Sequence, residues 1–570
     1  MPNVQLNLGS VSQLLTESAR VIQAGRLEKA ADLLNDATVS AILEIPDQTP
    51  SHHKTLFDLA SLLSKTNRDN LAEQCYLKIL QAGPNAAAFN KLGCLCCSLA
   101  RLTDAVYYQQ KALEVEPNRP ELWANLARAL METGRVSDGI SLLRKAVDAM
   151  PHNHQAHSNL LFRLHQLPNL DQPSLFQEHI RWASLHAPPS LARTSHANIP
   201  DPDRKLRIGY VSPDFRRHAV AYFFESLLDG HDRNTVELFG YGNVEFPDPV
   251  TDRLKDKFDH YRDIYSAAPD KTAQLIEQDR IDILVDLAGH CGDNNLLVFA
   301  RKPAPVQFTY LGYPDTTAVQ AIDYRLTDLI ADPPQSQQFY TEKLVYLPDG
   351  FLCYRPPDFA PPTSPLPADR NGFVTLGSFN NSCKINPEIS KIWADILKAD
   401  PTSRLMLKIK AGENPEVGRY FLSQFEHFGI SPQRIVIDGW KSPIQHLDTY
   451  SQIDVALDTY PYNGTTTTCE ALWMGVPVIT LVGNHHASRV GLSILARLGL
   501  QFFAADSPDQ YVKKALALAS NRQALAQLRC SMRARIAASG LCHAKAFARQ
   551  IESVFRTAWL SWCHSQPFNI

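Results

Sequence analysis

Three prolines lay a ruler along the first third of the chain. Pro84, Pro117 and Pro151 fall 33 and 34 residues apart, and each closes a stretch whose apolar residues recur at helical spacing. A chain built this way cannot bury its apolar surface within one helical hairpin. It must stack hairpins so that each covers its neighbour. Counting back from Pro151, Trp123, Leu126, Ala127, Gly139 and Ala146 supply a bulky apolar residue, a leucine and the small residues that let two helices cross closely. Phe89, Leu92, Gly93, Ala105 and Ala112 hold the same register one unit earlier, and Leu56, Leu59, Ala60 and Ala72 the one before that.

The period and the small-residue positions are those of tetratricopeptide repeats, expected with their linker helices over residues 12–190. Residues 25–30, GRLEKA, echo residues 134–139, GRVSDG, and place an irregular unit ahead of the three regular ones. Asn125 and Asn159 stand 34 residues apart in equivalent positions. Side-chain amides repeated along a groove can clamp an extended peptide, giving a donor and an acceptor at each rung. Lys91 stands at the preceding rung and breaks the ladder. Polar residues on exposed helix faces are the plain alternative.

Composition narrows the partners. Lys and Arg number 56 against 59 Asp and Glu, a net charge of −3 that makes no electrostatic case for nucleic acid or an anionic membrane. No apolar run reaches the ~18 residues needed to span a bilayer. The first thirty residues hold Glu17, Glu28 and Lys29 and lack the unbroken apolar core of a signal peptide, so a cytoplasmic protein is expected. Eleven cysteines, with Cys94, Cys96 and Cys97 crowded together, form neither a disulfide framework nor a Cys-x-x-Cys pair and read as reduced, packed thiols.

A Pro-rich run over residues 188–202 closes the helical part, and the pattern then changes. Short β-branched runs at 206–211, 236–241, 281–287 and 306–311 alternate with helical stretches. The cycle restarts at 373–378, 405–409, 435–437, 455–458 and 476–481. Such alternation implies parallel sheets covered by helices, here two Rossmann-like halves at 205–368 and 370–540 facing a cleft, with a final helix in 541–570. The first strand runs into VSPDFRR in place of a Gly-x-Gly-x-x-Gly turn, which argues against a dehydrogenase.

The most telling stretch is 458–475, DTYPYNGTTTTCEALWMG. A strand end, an Asn463-Gly464 turn and a helix opening in threonines outline an anion site. Unpaired N–H groups, the positive end of the helix dipole and the hydroxyls of Thr465, Thr466 and Thr467 can hold a pyrophosphate without a metal. Glu470, one turn on, is placed to accept from ribose hydroxyls. The alternative is a well-capped helix with a buried glutamate. Three other signals are set aside or left without a role. Asp201-Pro202-Asp203 has the shape of a metal-binding DxD but lies in the Pro-rich linker. His152, His154 and His157 lack a carboxylate or cysteine at metal spacing and read as an exposed cap. His485-His486 follows a strand end with no role assigned.

Together with the repeats, DFRRHAV (214–220), PAPVQFTYLGYP (303–314), GSFNNSCK (377–384) and TTTTCEALWMGVP (465–477) make the chain similar to the O-GlcNAc transferase family, including its plant SPINDLY branch. The resemblance implies a GT-B glycosyltransferase that inverts the anomeric centre, needs no metal or other cofactor, and modifies Ser or Thr of polypeptides. It gives Thr466 and Thr467 to the diphosphate, puts Glu470 where the family has a ribose-binding Asp, and makes Lys384 the family's essential lysine. A fixed ammonium there stabilises the departing nucleoside diphosphate. His218 takes the place of the histidine discussed as general base, a ring that can equally bind sugar or peptide backbone. His446 matches a nucleoside contact, Pro443 replaces an expected lysine with Lys441 nearby, Asn381 replaces a glutamine and Thr465 a histidine. Leu311, Gly312, Tyr313 and Pro314 are expected to line the sugar pocket. TTTTCE and LAGHCGDNN (287–295) look more like the SPINDLY branch, which uses GDP-fucose. UDP-GlcNAc is the favoured donor, GDP-fucose the rival. A repeat protein that binds polypeptides with an inactive nucleotide-binding region, or a small-molecule glycosyltransferase, are the other readings.

Overall fold

Helical hairpins follow the proline ruler. The computed structural model describes residues 8–23, 27–45, 49–169 and 171–564, and the chain divides between Ala149 and Met150 into two compact units. In the first unit, helices Leu8–Gln23, Leu27–Leu33 and Asp36–Leu43 precede three hairpins: Pro50–Lys65 with Asp69–Gln81, Ala86–Ser98 with Leu102–Val115, and Pro120–Glu132 with Val136–Ala149. Local chemistry starts the helices. The side chains of Thr49 and Asn85 accept from the backbone N–H three residues on, and Pro50 and Pro120 stand at first-turn positions where no N–H is missed. The small residues sit where the hairpins need them. A Cβ on Gly93 would come within 2.5 Å of the Gln109 side chain, and one on Gly139 within 2.4 Å of Met131. Trp123 Nε1 donates to Pro117 O at 3.1 Å, so the marker proline and the bulky position belong to one joint. Gly25 and Arg26 of the GRLEKA echo lie outside the described residues.

In the second unit, helices His154–Leu164 and Gln172–His186 pack on the first sheet. Leu161 and Trp182 are buried in one core with Val211, Phe239, Tyr241 and Leu284. The sequence reading groups these helices with the repeats, because their polarity pattern resembles that of the preceding hairpins.

Strands β1 (Leu206–Ser212), β2 (Val236–Gly242), β3 (His260–Asp263), β4 (Ile283–Asp286), β5 (Val306–Thr309), β6 (Tyr324–Thr327) and β7 (Lys343–Tyr346) form a parallel sheet in the order β3-β2-β1-β4-β5-β6-β7. A second parallel sheet takes β8 (Thr375–Ser378), β9 (Arg404–Lys408), β10 (Ile435–Asp438), β11 (Val455–Leu457), β12 (Val478–Leu481) and β13 (Ala504–Ala505) in the order β10-β9-β8-β11-β12-β13. The two sheets repeat one topology. In each, the order reverses between the first strand and the fourth, leaving a crevice at their carboxyl ends where open α/β sheets bind ligands.

The two lobes meet along a polar seam. Ser493 Oγ donates to Asp328 Oδ2 at 2.6 Å, Arg489 Nε to Ile330 O at 2.8 Å, and His486 Nδ1 lies 2.7 Å from Asp332 Oδ2. The last helix, Ala544–His564, returns to the first lobe. Its Phe555 packs on Phe308 with ring centres 5.0 Å apart, Trp559 Nε1 donates to Asp201 O and Arg556 to Pro202 O. The DxD-like segment is thus a seat for this helix. Among the described residues no helix is long and apolar enough to cross a membrane. All eleven cysteines are free thiols, with Cys530 the exposed one.

Candidate active site

The crevice between β8 and β11 is shaped by Asp458. Its buried carboxylate accepts from Gly464 N at 2.7 Å, Thr459 N at 2.9 Å and Thr480 Oγ1 at 2.7 Å, which folds residues 458–464 into a tight loop. Burial pushes its pKa up to about 6, against the pull of those donors and of Lys384. The Tyr460-Pro461 peptide within the loop is cis. Asn463 Nδ2 donates to Thr459 O at 2.8 Å and closes the turn. Gly464 is required: a Cβ there would lie 2.3 Å from Thr467 Oγ1 and 2.8 Å from Asn380 Oδ1.

Helix Thr466–Trp473 starts from this loop, and the side chain of Thr465 makes no capping bond to it. The first-turn N–H groups therefore face the crevice without the side-chain acceptor that a well-capped helix would supply. Thr465, Thr466 and Thr467 are partly exposed, and the Thr467 hydroxyl donates to Asn380 Oδ1 at 3.0 Å. The arrangement has the donors and the dipole an anion needs.

Across the crevice, residues Ser382–Lys384 make one 3-10 turn capped by Asn381, whose side-chain oxygen accepts from Cys383 N at 2.9 Å. Asn381 thus uses its oxygen within its own turn. Lys384 Nζ donates to Asn463 O at 2.8 Å and stands 4.0 Å from the centre of the Tyr462 ring. Burial lowers its pKa to about 8, with Asp458 opposing the shift.

A cavity of about 250 Å³ opens beside this crevice, lined among others by His446, Glu470, Lys408, Trp440, Arg217 and Tyr222. His446 Nε2 lies 3.0 Å from Glu470 Oε2, so the two groups named from sequence form one pair on the cavity wall. Lys441 also lines it and is paired with Asp438 at 2.6 Å, next to Pro443.

The first lobe contributes the loop after β1. His218 Nδ1 is 3.3 Å from Asp214 Oδ2, and burial lowers the His218 pKa, with Asp214 opposing. Val220 N donates to the same nitrogen at 3.4 Å, so both contacts engage Nδ1 and, among the described residues, none engages Nε2. After β5, Leu311 takes a φ of 73°, and Gly312 passes so near β4's loop that a Cβ would lie 2.0 Å from Leu287 O. Pro314 is buried. Tyr313 does not share the pocket-lining place expected for it. It turns inward, its hydroxyl 2.7 Å from His179 Nε2 and 3.1 Å from His165 Nε2, because the helices that follow the repeats bury it.

The family model described as Glycosyl transferase family 41 matches residues 155–355 and 366–551, covering both lobes. The chain belongs to glycosyl transferase family 41. A tetratricopeptide repeat model matches residues 100–161. A mutant of the Thermobaculum terrenum O-GlcNAc transferase superposes with a TM-score of 0.86 at 35% identity, covering 90% of this chain and 98% of that one. The Solanum lycopersicum protein named "Probable UDP-N-acetylglucosamine--peptide N-acetylglucosaminyltransferase SPINDLY" is 42% identical over 72% of this chain and 45% of its own length. A Caenorhabditis elegans UDP-N-acetylglucosamine--peptide N-acetylglucosaminyltransferase is 25% identical over 64% of this chain and 42% of its own. The chain thus spans just under half the length of the curated relatives it matches.

Other groups in this family 41 chain differ from the sequence reading. His157 is buried, not an exposed cap: helix Gln172–His186 folds over it and brings Glu178 within 2.8 Å of Nε2. His165, His179 and Asp315 place one ligand atom each within 4.8 Å of one another, but the Tyr313 hydroxyl already bonds both imidazoles. His485 bonds Gln172, and His486 belongs to the lobe seam. In the first unit Asn125 Nδ2 donates to Asn90 Oδ1 at 2.8 Å, and Lys91 is exposed. Asn159 is exposed on helix His154–Leu164 of the second unit. Lys408, Trp440, Arg217 and Tyr222 were not singled out from sequence. Lys408 ends β9, and a charged residue closing a buried strand was the available signal.

Proposed function

We propose that this chain transfers N-acetylglucosamine from UDP-GlcNAc to serine or threonine hydroxyls of polypeptides, with inversion and without a metal. The observation that carries the reading is the pairing of an uncapped helix N-terminus at Thr466 with the half-buried ammonium of Lys384 across one crevice, in a family 41 fold. The names of the plant, nematode and bacterial relatives support the sugar. In this reading 370–540 is the nucleotide-sugar lobe and 205–368 the acceptor side.

The acceptor oxygen attacks the anomeric carbon as the bond to the β-phosphate oxygen breaks. Charge gathers on the departing diphosphate, where Thr465, Thr466, Thr467 and the helix N–H groups donate to it and Lys384 balances it. His446 and Glu470 hold the nucleoside, the Gly312–Pro314 loop bounds the sugar, and Asn381 borders the diphosphate. His218, oriented by Asp214, receives the acceptor proton at Nε2. Asn125 and Asn159 bind acceptor backbone. Eleven free thiols fit a reducing, cytoplasmic setting.

Calorimetric titration with UDP, UDP-GlcNAc, GDP and GDP-fucose in EDTA, on wild type and Lys384→Ala, tests this. Metal-free binding of the uridine pair, weakened by the substitution, is the expected result. Preference for the guanosine pair would move the chain to fucosyl transfer, and no binding would end the enzyme reading.

A further inference from the structure

Two consecutive residues hold the Lys384 ammonium by different means. Asn463 offers its main-chain oxygen at 2.8 Å, and Tyr462 offers the face of its ring at 4.0 Å. One carbonyl takes one of three N–H protons, and a ring face, negative at its centre, is a partner for a second. The other groups acting on this charge are Asp458 at the end of β11 and Cys383 in the same turn. Among the described residues the Tyr462 hydroxyl bonds to nothing, so the ring alone makes the contact.

The ring is held in place. Phe162 meets it edge-on at 6.1 Å and 77°, and His165 at 6.4 Å and 72°. Burial keeps the His165 pKa well below the ordinary histidine range, so no second cation competes for the ring from that side. Arg163 is the charged group beyond, 5.5 Å over the Phe162 ring. The helix pair at 154–186 thereby braces Tyr462 just as it braces Tyr313 in the loop after β5.

We propose that Tyr462 is a positioning residue for Lys384: its ring, braced by Phe162 and His165, keeps the ammonium charged and fixed beside the N-terminus of helix Thr466–Trp473. The proposal rests on reading Lys384 as the cation that meets the leaving diphosphate. It gives the ring, not the hydroxyl, the role.

The test is the protonation midpoint of Lys384 in the full chain without nucleotide, from competitive acetylation across pH read by mass spectrometry. Tyr462→Phe should leave the midpoint in place. Tyr462→Leu should lower it by about half a unit to one unit, the size of a lost ring contact. The alkaline limb of kcat/KM should move by the same amount, with Phe again restoring it. Stepwise fluorination of a phenylalanine placed at 462 keeps shape while draining the ring face, so a graded fall is expected even if Leu fails to fold. An unmoved midpoint in Leu and in the fluorinated series, or an equal fall in Phe, overturns the proposal. A wild type that transfers no sugar would refute the functional reading while the labelling still judges the ring.

Discussion

At the scale of single residues, the two pKa shifts at the site set the pH profile. Lys384 is charged below about pH 8 and loses its proton as pH rises through that value, so kcat/KM should fall on an alkaline limb near 8. His218 is held below the ordinary histidine value and must be neutral to accept a proton, so the acid limb should lie below about 6.5. A bell between these limits, with the acid limb lost in His218→Ala, is the expected profile. Lys384→Ala should cost about 10²–10³ in kcat, the scale of removing one charge-stabilising group, in single-turnover transfer assays. The helix start at the threonine run was readable because a turn that runs into a helix N-terminus is local in sequence. Lys408 and Trp440 were not, since each follows from which strand ends point into the same cavity. Tyr313 misled for a related reason: nothing in its motif shows that its ring answers to His165 and His179 from distant helices.

At the scale of elements, two contacts carry the placement of the loops. Gly312→Ala sets a methyl against the Leu287 carbonyl, a backbone atom that cannot yield as a side chain would. The loop after β5 should shift, with a loss of about 1–3 kcal/mol in urea unfolding and weaker donor binding. The second contact is the Asp332–His486 pair in the lobe seam, buried on both sides. His486 and the Thr327 hydroxyl hold the Asp332 carboxyl well below its ordinary range despite burial. A depressed carboxyl stabilises fully above its unfolded pKa and loses that contribution as pH falls through the lower folded value. Asp332→Asn should therefore cost about 3–5 kcal/mol at pH 7, and wild type and variant should converge in unfolding midpoint as the solution is acidified. The central strands were legible as β-branched runs. Strands β3, β6, β7 and β13 were not, because they are short, and His260–Asp263 and Tyr324–Thr327 carry polar residues that break the apolar run.

At the scale of the whole molecule, the boundary between Ala149 and Met150 decides what can be removed. The sequence groups 12–190 together because helices His154–Leu164 and Gln172–His186 keep a hairpin's polarity pattern, and a pattern does not say what a helix packs on. Their apolar faces belong to the first sheet: Leu161 and Trp182 share its core, and Trp182 Nε1 donates to His154 O at 3.0 Å to tie the two helices together. Truncation should separate these assignments. A chain beginning at residue 150 keeps the sheet core, the braces on Tyr313 and Tyr462, and the crevice. It should unfold cooperatively by circular dichroism, bind the nucleotide sugar within a few-fold of the full chain, and lose transfer to folded protein acceptors before transfer to short peptides. A chain beginning at residue 191 lacks Trp182, His165, His179 and Phe162. Removing a tryptophan alone from a core costs about 3–5 kcal/mol, a large share of a domain's ~5–15 kcal/mol stability, so this shorter chain should neither fold nor bind. If both truncations bound nucleotide equally, the helix pair would be no part of the catalytic fold, and the brace on Lys384 would have to come from elsewhere.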